Sequence, residues 1–223
     1  MDREEMLKRY RKLYTAVVSD ALDDLGFWNQ VLPASLQPIF ADTPKICGYA
    51  RTLKAGPSHQ PGTWLPDTFK RWTKGYDKIT SENILVISCT SEVGAVWGAL
   101  RTERMLRVGC QGLVTNGFIR DAGEIKNMGF PIYAGGKRPS DCRGRIEYED
   151  HGCEVKIGGV SIHPDDIILA DDDGTLVVPL GVAEKVLIIA EGLDKKHEWI
   201  HSQLRAGRPA EEVMETYSRE LKK

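Results

Sequence analysis

The residues best suited to chemistry lie in one stretch, GCQGLVTNGFIRDAGE, at positions 109–124. An apolar run at 112–115 reads as a strand and delivers the chain to Asn116-Gly117, a turn signal, after which Arg120 and Asp121 follow at once. Strand ends in α/β sheets are where ligands usually sit. The planar guanidinium of Arg120 suits a carboxylate, and Asp121 is a hard oxygen ligand suited to Mg2+ or Mn2+. Glu124 falls three residues later, on the same face if a helix starts near Asp121. A cation beside a carboxylate-binding arginine is what a 2-oxo acid requires: one group holds the carboxylate, the other polarises the keto oxygen. The same spacing also fits a helix cap at Asp121, with Glu124 completing a capping-box-like start. On spacing alone the cap is the commoner arrangement.

A second candidate is AVWGALR at 95–101. Apolar residues recur at helical spacing from 95 to 107, and Gly98 inside that pattern marks a helix start or a close backbone approach. Amides at such a start, Gly98 to Arg101, could bind an anion. The remaining chemistry-bearing types form no pattern. His59, His151, His163, His197 and His201 make no metal-ligand motif, and His197 and His201 read as a solvated helix face. Asp171-Asp172-Asp173-Gly174 reads as a hairpin turn. The tryptophans Trp64, Trp72, Trp97 and Trp199 lack basic interleaving, so no nucleic-acid partner is expected.

The elements that must position these residues alternate in type, which predicts a mixed α/β domain. A polar helix is expected at 1–13 and a short helix at 20–25, capped by Ser19 and ended by Gly26. Strands are expected at 46–54 and 83–88, with a loop at 56–62 holding two prolines and two glycines. After the helix ending at Gly109 and the strand at 112–115, a helical patch runs to Met128, and residues 130–133 look like an edge or terminal strand. From 145 to 179 the pattern is β throughout. The last residues form two helices broken at Gly207-Arg208-Pro209.

The chain of 223 residues has a formal net charge of −2, so no whole-chain field draws it to nucleic acid or to an anionic membrane. Five cysteines, an odd number with no CxxC spacing, argue for a reducing compartment and buried thiols. Residues 1–14 have no apolar h-region, and no stretch approaches about 18 apolar residues, so no secretory signal or membrane span is read and cytoplasm is the expected location.

Four segments together carry a resemblance: TAVVSDALDDLG at 15–26, ICGYARTL at 46–53, WGALRTERMLRVGCQGLVTNGFIRDAGEIKNMGFPIYAGG at 97–136, and GGVSIHPDDIILADDDGTLVVP at 158–179. In these the chain resembles the RraA-like family. That family holds class II 4-hydroxy-4-methyl-2-oxoglutarate / 4-carboxy-4-hydroxy-2-oxoadipate aldolases and the protein regulators of ribonuclease E. The resemblance implies a β/β/α swivelling-type single domain over residues 1–180, a helical C-terminal extension over 181–223 packing on the same domain or a neighbouring subunit, and a homotrimer or dimer of trimers. It also implies a lyase giving pyruvate by retro-aldol cleavage or by oxaloacetate-type decarboxylation. In that scheme Gly98, Ala99, Leu100 and Arg101 bind substrate, Arg120 binds its pyruvyl part, and Asp121 ligates Mg2+, Mn2+ or another divalent metal, with Glu124 and Asn116 behind them. Two positions depart from the family pattern: Ala99 replaces the Asp that orients metal-bound water, and Asn116 stands where an Asp is common. The alternatives are a non-catalytic regulator that binds a ribonuclease, or a related metal enzyme with another substrate, for which the loop at 56–67 and its His59 would be the distinguishing feature.

Overall fold

The computed structural model describes residues 1–58, 72–76 and 78–220. His59, Trp64 and most of the loop read at 56–67 therefore lie outside the described residues. Two helices open the chain, α1 (Arg3–Tyr10) and α2 (Thr15–Asp24). The sheet begins with β1 (Gln37–Pro38), β2 (Ile46–Pro57), β3 (Asn83–Cys89) and β4 (Ala95–Trp97). Then come α3 (Ala99–Arg107), β5 (Gly112–Ile119), α4 (Ala122–Met128) and β6 (Ile132–Lys137). Five strands follow: β7 (Ile146–His151), β8 (Val155–Ile157), β9 (Val160–Ile162), β10 (Ile167–Asp171) and β11 (Gly174–Val178). The described chain closes with α5 (Ala183–Arg205) and α6 (Ala210–Glu220).

One mixed sheet carries the fold, in the order β1-β6-β5-β3-β2-β10-β11. The inner run β6-β5-β3-β2 is parallel, which explains why every residue of β3 is buried: a parallel strand is covered on both faces. β2 and β5 are each longer than one neighbour. Along one edge β2 pairs first with β10 and then with β7, and β5 pairs first with β3 and then with β4. Apart from the sheet, β8 and β9 form a hairpin whose apolar side chains close a second core with Ile84, Val86 and Val114.

The first helix is less polar than its composition implies, because Met6, Leu7 and Tyr10 are buried against the start of α5. The Tyr10 hydroxyl donates to the Ala183 carbonyl at 2.7 Å, and the first half of α5 buries Val186, Leu187 and Ala190 on this face. No helix among the described residues is long and apolar enough to cross a membrane. All five cysteines are free, and only Cys153 is not fully buried.

Several expectations about boundaries need correction. Ser19 does not cap a helix; α2 already begins at Thr15, whose N–H and hydroxyl both donate to the Asp171 carboxylate, at 2.8 and 2.6 Å. That cap comes from the β10–β11 hairpin and is invisible in local sequence. Gly56 and Pro57 belong to β2 and not to a loop, because β7 pairs with them. Residues 130–133 do not form an edge strand: β6 starts only after Pro131 and lies between β5 and the two-residue β1. Residues 95–97 are strand and not helix, and Asn116-Gly117 is no turn but part of β5. These last two corrections build the site.

Candidate active site

Two parallel strand-to-helix junctions lie side by side. β4 ends at Trp97 and passes through Gly98 into α3; β5 ends at Ile119 and passes through Arg120-Asp121 into α4. The Arg120 N–H donates to the Trp97 carbonyl at 3.0 Å and ties the junctions together. Both helix N-termini therefore open at the same end of the sheet, where their amides favour negative charge.

Gly98 is the close approach read from the sequence. A Cβ there would lie 2.6 Å from Asp121 Oδ2 and 3.2 Å from Arg120 Cγ, so any larger residue would push both side chains out of their places. Asp121 has φ +57° and ψ +33°, the left-handed region that Asp tolerates better than most residues. It occupies the N-cap position of α4, as the cap reading predicts, yet its side chain makes no capping bond to that helix. Oδ2 instead accepts the Ala99 N–H at 3.1 Å, at the first turn of α3. The carboxylate thus serves the neighbouring helix, whose own N-cap, Gly98, has no side chain to do so. The Leu100 N–H, next along α3, bonds no partner among the described residues. Those of Arg101 and Thr102 turn back to the Gly98 carbonyl, both at 3.2 Å.

A cleft of about 120 Å3 opens between the junctions, lined by Trp97, Gly98, Leu100, Arg101, Arg120, Asp121, Asp141 and Cys142. Arg120 stands between two carboxylates, with Nε 3.6 Å from Asp121 Oδ2 and Nη1 3.5 Å from Asp141 Oδ2. All three side chains are about one-third exposed. Burial works against the charged form of Asp141. The Cys142 thiol, the Arg120 guanidinium and the N–H groups of Arg143 and Cys142 outweigh it and hold the carboxyl below its ordinary value. Arg101 is already engaged: it donates to the Val96 carbonyl, its Nη2 lies 3.6 Å from Cys142 Sγ, and its guanidinium covers the Trp72 ring at 3.8 Å. It forms a wall of the cleft, whereas the Arg120 guanidinium makes no hydrogen bond among the described residues.

The structure thus brings Gly98, Leu100, Arg101, Arg120 and Asp121 to one cleft, with the Ala99 side chain buried beneath it. It does not bring Asn116 or Glu124 there. Asn116 spans the point where β5 leaves β3 for β4: its Oδ1 accepts the Cys89 N–H at 2.7 Å and its Nδ2 donates to the Cys89 carbonyl at 2.8 Å. The side chain replaces a missing rung of the ladder, so the Asn-Gly pair stays extended where a turn was read. Glu124 points to solvent from the first turn of α4. Sequence reading missed Asp141 and Cys142. Local sequence carried no signal for them: Arg138-Pro139-Ser140-Asp141 emerges at the same sheet end as Arg120 because β6 pairs parallel with β5.

The donor set bears on which cation could be held. No group of three or more His, Cys, Asp or Glu among the described residues converges to cage an ion. One partly exposed carboxylate with an oxygen to spare suits a hydrated Mg2+ or Mn2+, which keeps most of its waters and takes one or two protein carboxylates.

Comparison with known proteins agrees with this architecture. Residues 15–177 match the family model described as RraA-like, Aldolase/RraA. Protein DlpA of Legionella pneumophila is 30% identical over 95% of this chain, though the chain spans only 34% of DlpA's length. A Halalkalibacterium halodurans protein, provisionally named a 4-hydroxy-4-methyl-2-oxoglutarate aldolase, is 27% identical over 82% of this chain and 80% of its own. Among solved structures, Streptomyces coelicolor RraAS2, described as an unusual member of the RNase ES inhibitor RraA protein family, superposes with a TM-score of 0.76 at 25% identity, covering 87% of this chain and 94% of that one. With the matched segment spanning both strand-to-helix junctions and the sheet that carries them, the chain belongs to the RraA-like family.

Proposed function

We propose that the protein is a divalent-metal-dependent lyase that cleaves a carbon–carbon bond in a 2-oxo acid and releases pyruvate. The observation that carries this reading is the pairing, in one cleft, of a guanidinium with unspent donors and a carboxylate with an oxygen to spare, Arg120 and Asp121. The provisional aldolase name of the H. halodurans relative supports the same class of reaction.

Arg120 holds the substrate carboxylate through its fork, and the Leu100 amide at the start of α3 adds a donor. Asp121 would hold Mg2+ or Mn2+, which when bound supplies a Lewis acid for the keto oxygen. In the retro-aldol direction the C3–C4 bond breaks, and its electron pair passes into the enolate of pyruvate. The C4 hydroxyl proton passes to water as the second carbonyl forms, and a proton delivered from water to C3 completes pyruvate. In a decarboxylation the same electron pair is released by loss of CO2. Ala99 supplies no carboxylate for that proton. The reading includes assembly as a homotrimer or a dimer of trimers, in which Leu100, 84% exposed at the lip of the cleft, would be covered by a second copy.

The test is a screen of 4-hydroxy-2-oxo acids and oxaloacetate with Mg2+ or Mn2+ present, with pyruvate detected enzymatically. Metal-dependent pyruvate release from at least one compound supports the reading. Release from none, or release unaffected by chelation, overturns it.

A further inference from the structure

We propose that Asp141 is a positioning residue of this site, a counterweight that keeps the Arg120 guanidinium off Asp121 and aimed into the cleft. The inference rests on the reading of Arg120 as carboxylate binder and Asp121 as metal holder.

The geometry is a near-balance. Arg120 sits 3.6 Å from one carboxylate and 3.5 Å from the other. Both separations exceed a hydrogen-bond length, so each carboxylate attracts the guanidinium without consuming its N–H donors. An arginine meant to receive a substrate carboxylate needs this: held in place by charge, with its fork still open. The Asp141 end of the balance is fixed by backbone. The Ser140 carbonyl accepts the Ala95 N–H at 2.8 Å, and the Asp141 carbonyl accepts Arg145 Nη1 at 3.3 Å. Gly94 lies so close beneath that a Cβ there would meet the Asp141 carbonyl oxygen at 2.8 Å. The next residue, Cys142, sits 3.6 Å from Nη2 of Arg101, so one short segment touches both arginines of the cleft.

Removing the charge at 141 leaves Asp121 as the only carboxylate beside Arg120 among the described residues. The guanidinium then closes on Asp121 and neutralises the carboxylate that the metal needs, and its fork no longer faces a ligand. Two affinities fall together. A charge that merely stood nearby would do something different: its loss would strengthen the binding of an anion, because a like charge has been taken away.

Asp141→Asn and Asp141→Glu are compared with the wild type by calorimetric titration of Mn2+ and then of oxalate in the presence of Mn2+, alongside thermal unfolding and pyruvate release. Asp141→Asn is expected to bind Mn2+ and oxalate each about tenfold more weakly, the scale typical for a group that orients a ligand-holding residue. Its KM should rise, and Asp141→Glu should recover most of the oxalate binding. Oxalate binding to Asp141→Asn as tight as wild type, or tighter, overturns the inference. If Asp141→Asn lowers the unfolding temperature, Asp141→Glu decides, since a positioning role requires it to stay within a few-fold of wild type for oxalate. Failure of the wild type to bind oxalate overturns the Arg120 anion site and this inference with it. Oxalate binding weakened in Asp141→Asn, with no pyruvate from any compound in the wild type, overturns the proposed reaction and leaves the counterweight standing.

Discussion

Asp121 accepts the Ala99 N–H at 3.1 Å while standing at the N-cap of a different helix, α4, in a left-handed backbone conformation. One side chain on the wall of the cleft thereby links the starts of α3 and α4. The backbone conformation separates two substitutions that would otherwise look equivalent. Asn tolerates the left-handed region and Ala does not, so Asp121→Ala adds about 1 kcal/mol of strain to the loss of charge. Asp121→Asn should keep the wild-type unfolding temperature, lose Mn2+ binding in calorimetry and lose metal-dependent pyruvate release. Asp121→Ala should lose all three. Retained metal-dependent turnover in the Asn variant would exclude Asp121 as the metal holder.

Gly98 gives a sharper steric probe. A methyl group there meets Asp121 Oδ2 at 2.6 Å and Arg120 Cγ at 3.2 Å. Its backbone is extended, so alanine brings no conformational penalty of its own, and its effect comes from displacing the Asp121 carboxylate and the Arg120 side chain. Gly98→Ala should cut pyruvate release by at least about tenfold, in line with misplacement of a catalytic constellation by a fraction of an ångström. Its secondary structure by circular dichroism should be unchanged. Full activity in Gly98→Ala would show that the Asp121 and Arg120 side chains need not hold these positions.

How much of this was legible in the sequence follows from which forces are local. The all-buried strand at β3, the glycine stops at Gly26, Gly109 and Gly129, and the Asp-Gly hairpin between β10 and β11 all follow from periodicity and turn chemistry within a few residues. Arg120 and Asp121 were legible as a pair, and Gly98 as a close approach, although the partner it approaches was not. What escaped was set by distant partners. Thr15 begins α2 because Asp171 accepts its N–H and hydroxyl across 156 residues. Residues 95–97 read as helix from their apolar spacing, but the second half of β5 needs a parallel neighbour and takes them as strand. Asp141 sits in a polar loop with no periodicity; only knowing that β6 runs parallel to β5 puts its loop at the right sheet end.

Acid should loosen the contact between α1 and α5. Hydrogen bonds from Arg9, together with its charge, hold the Glu191 carboxyl below its ordinary value, with Nε to Oε1 at 2.7 Å. A carboxyl depressed in the folded state contributes stability that is complete above the unfolded value of about 4.3 and drains as pH falls through the lower, folded value. Glu191→Gln should therefore unfold at a lower temperature than wild type at pH 7, and the gap should close toward pH 3. A gap that stays constant over that range would show that the α1–α5 contact does not depend on this ion pair.

Asn116 tests whether the crossing of β5 from one neighbour to the next is what holds Arg120 in place. Its amide satisfies both the N–H and the carbonyl of Cys89, a buried residue at the end of β3. Truncation to alanine leaves two backbone groups without partners, at a cost of about 1–3 kcal/mol each. Asn116→Ala should therefore lower stability by about 2–6 kcal/mol in denaturant unfolding. Asn116→Asp should fall between wild type and alanine, because a carboxylate can accept the Cys89 N–H but cannot donate to the Cys89 carbonyl. Activity should follow stability in these two variants: Ile119 pairs with Trp97 only beyond the crossing, and Arg120 follows it directly. Loss of pyruvate release in Asn116→Asp with wild-type stability would break that link and place Asn116 in contact with the reaction itself.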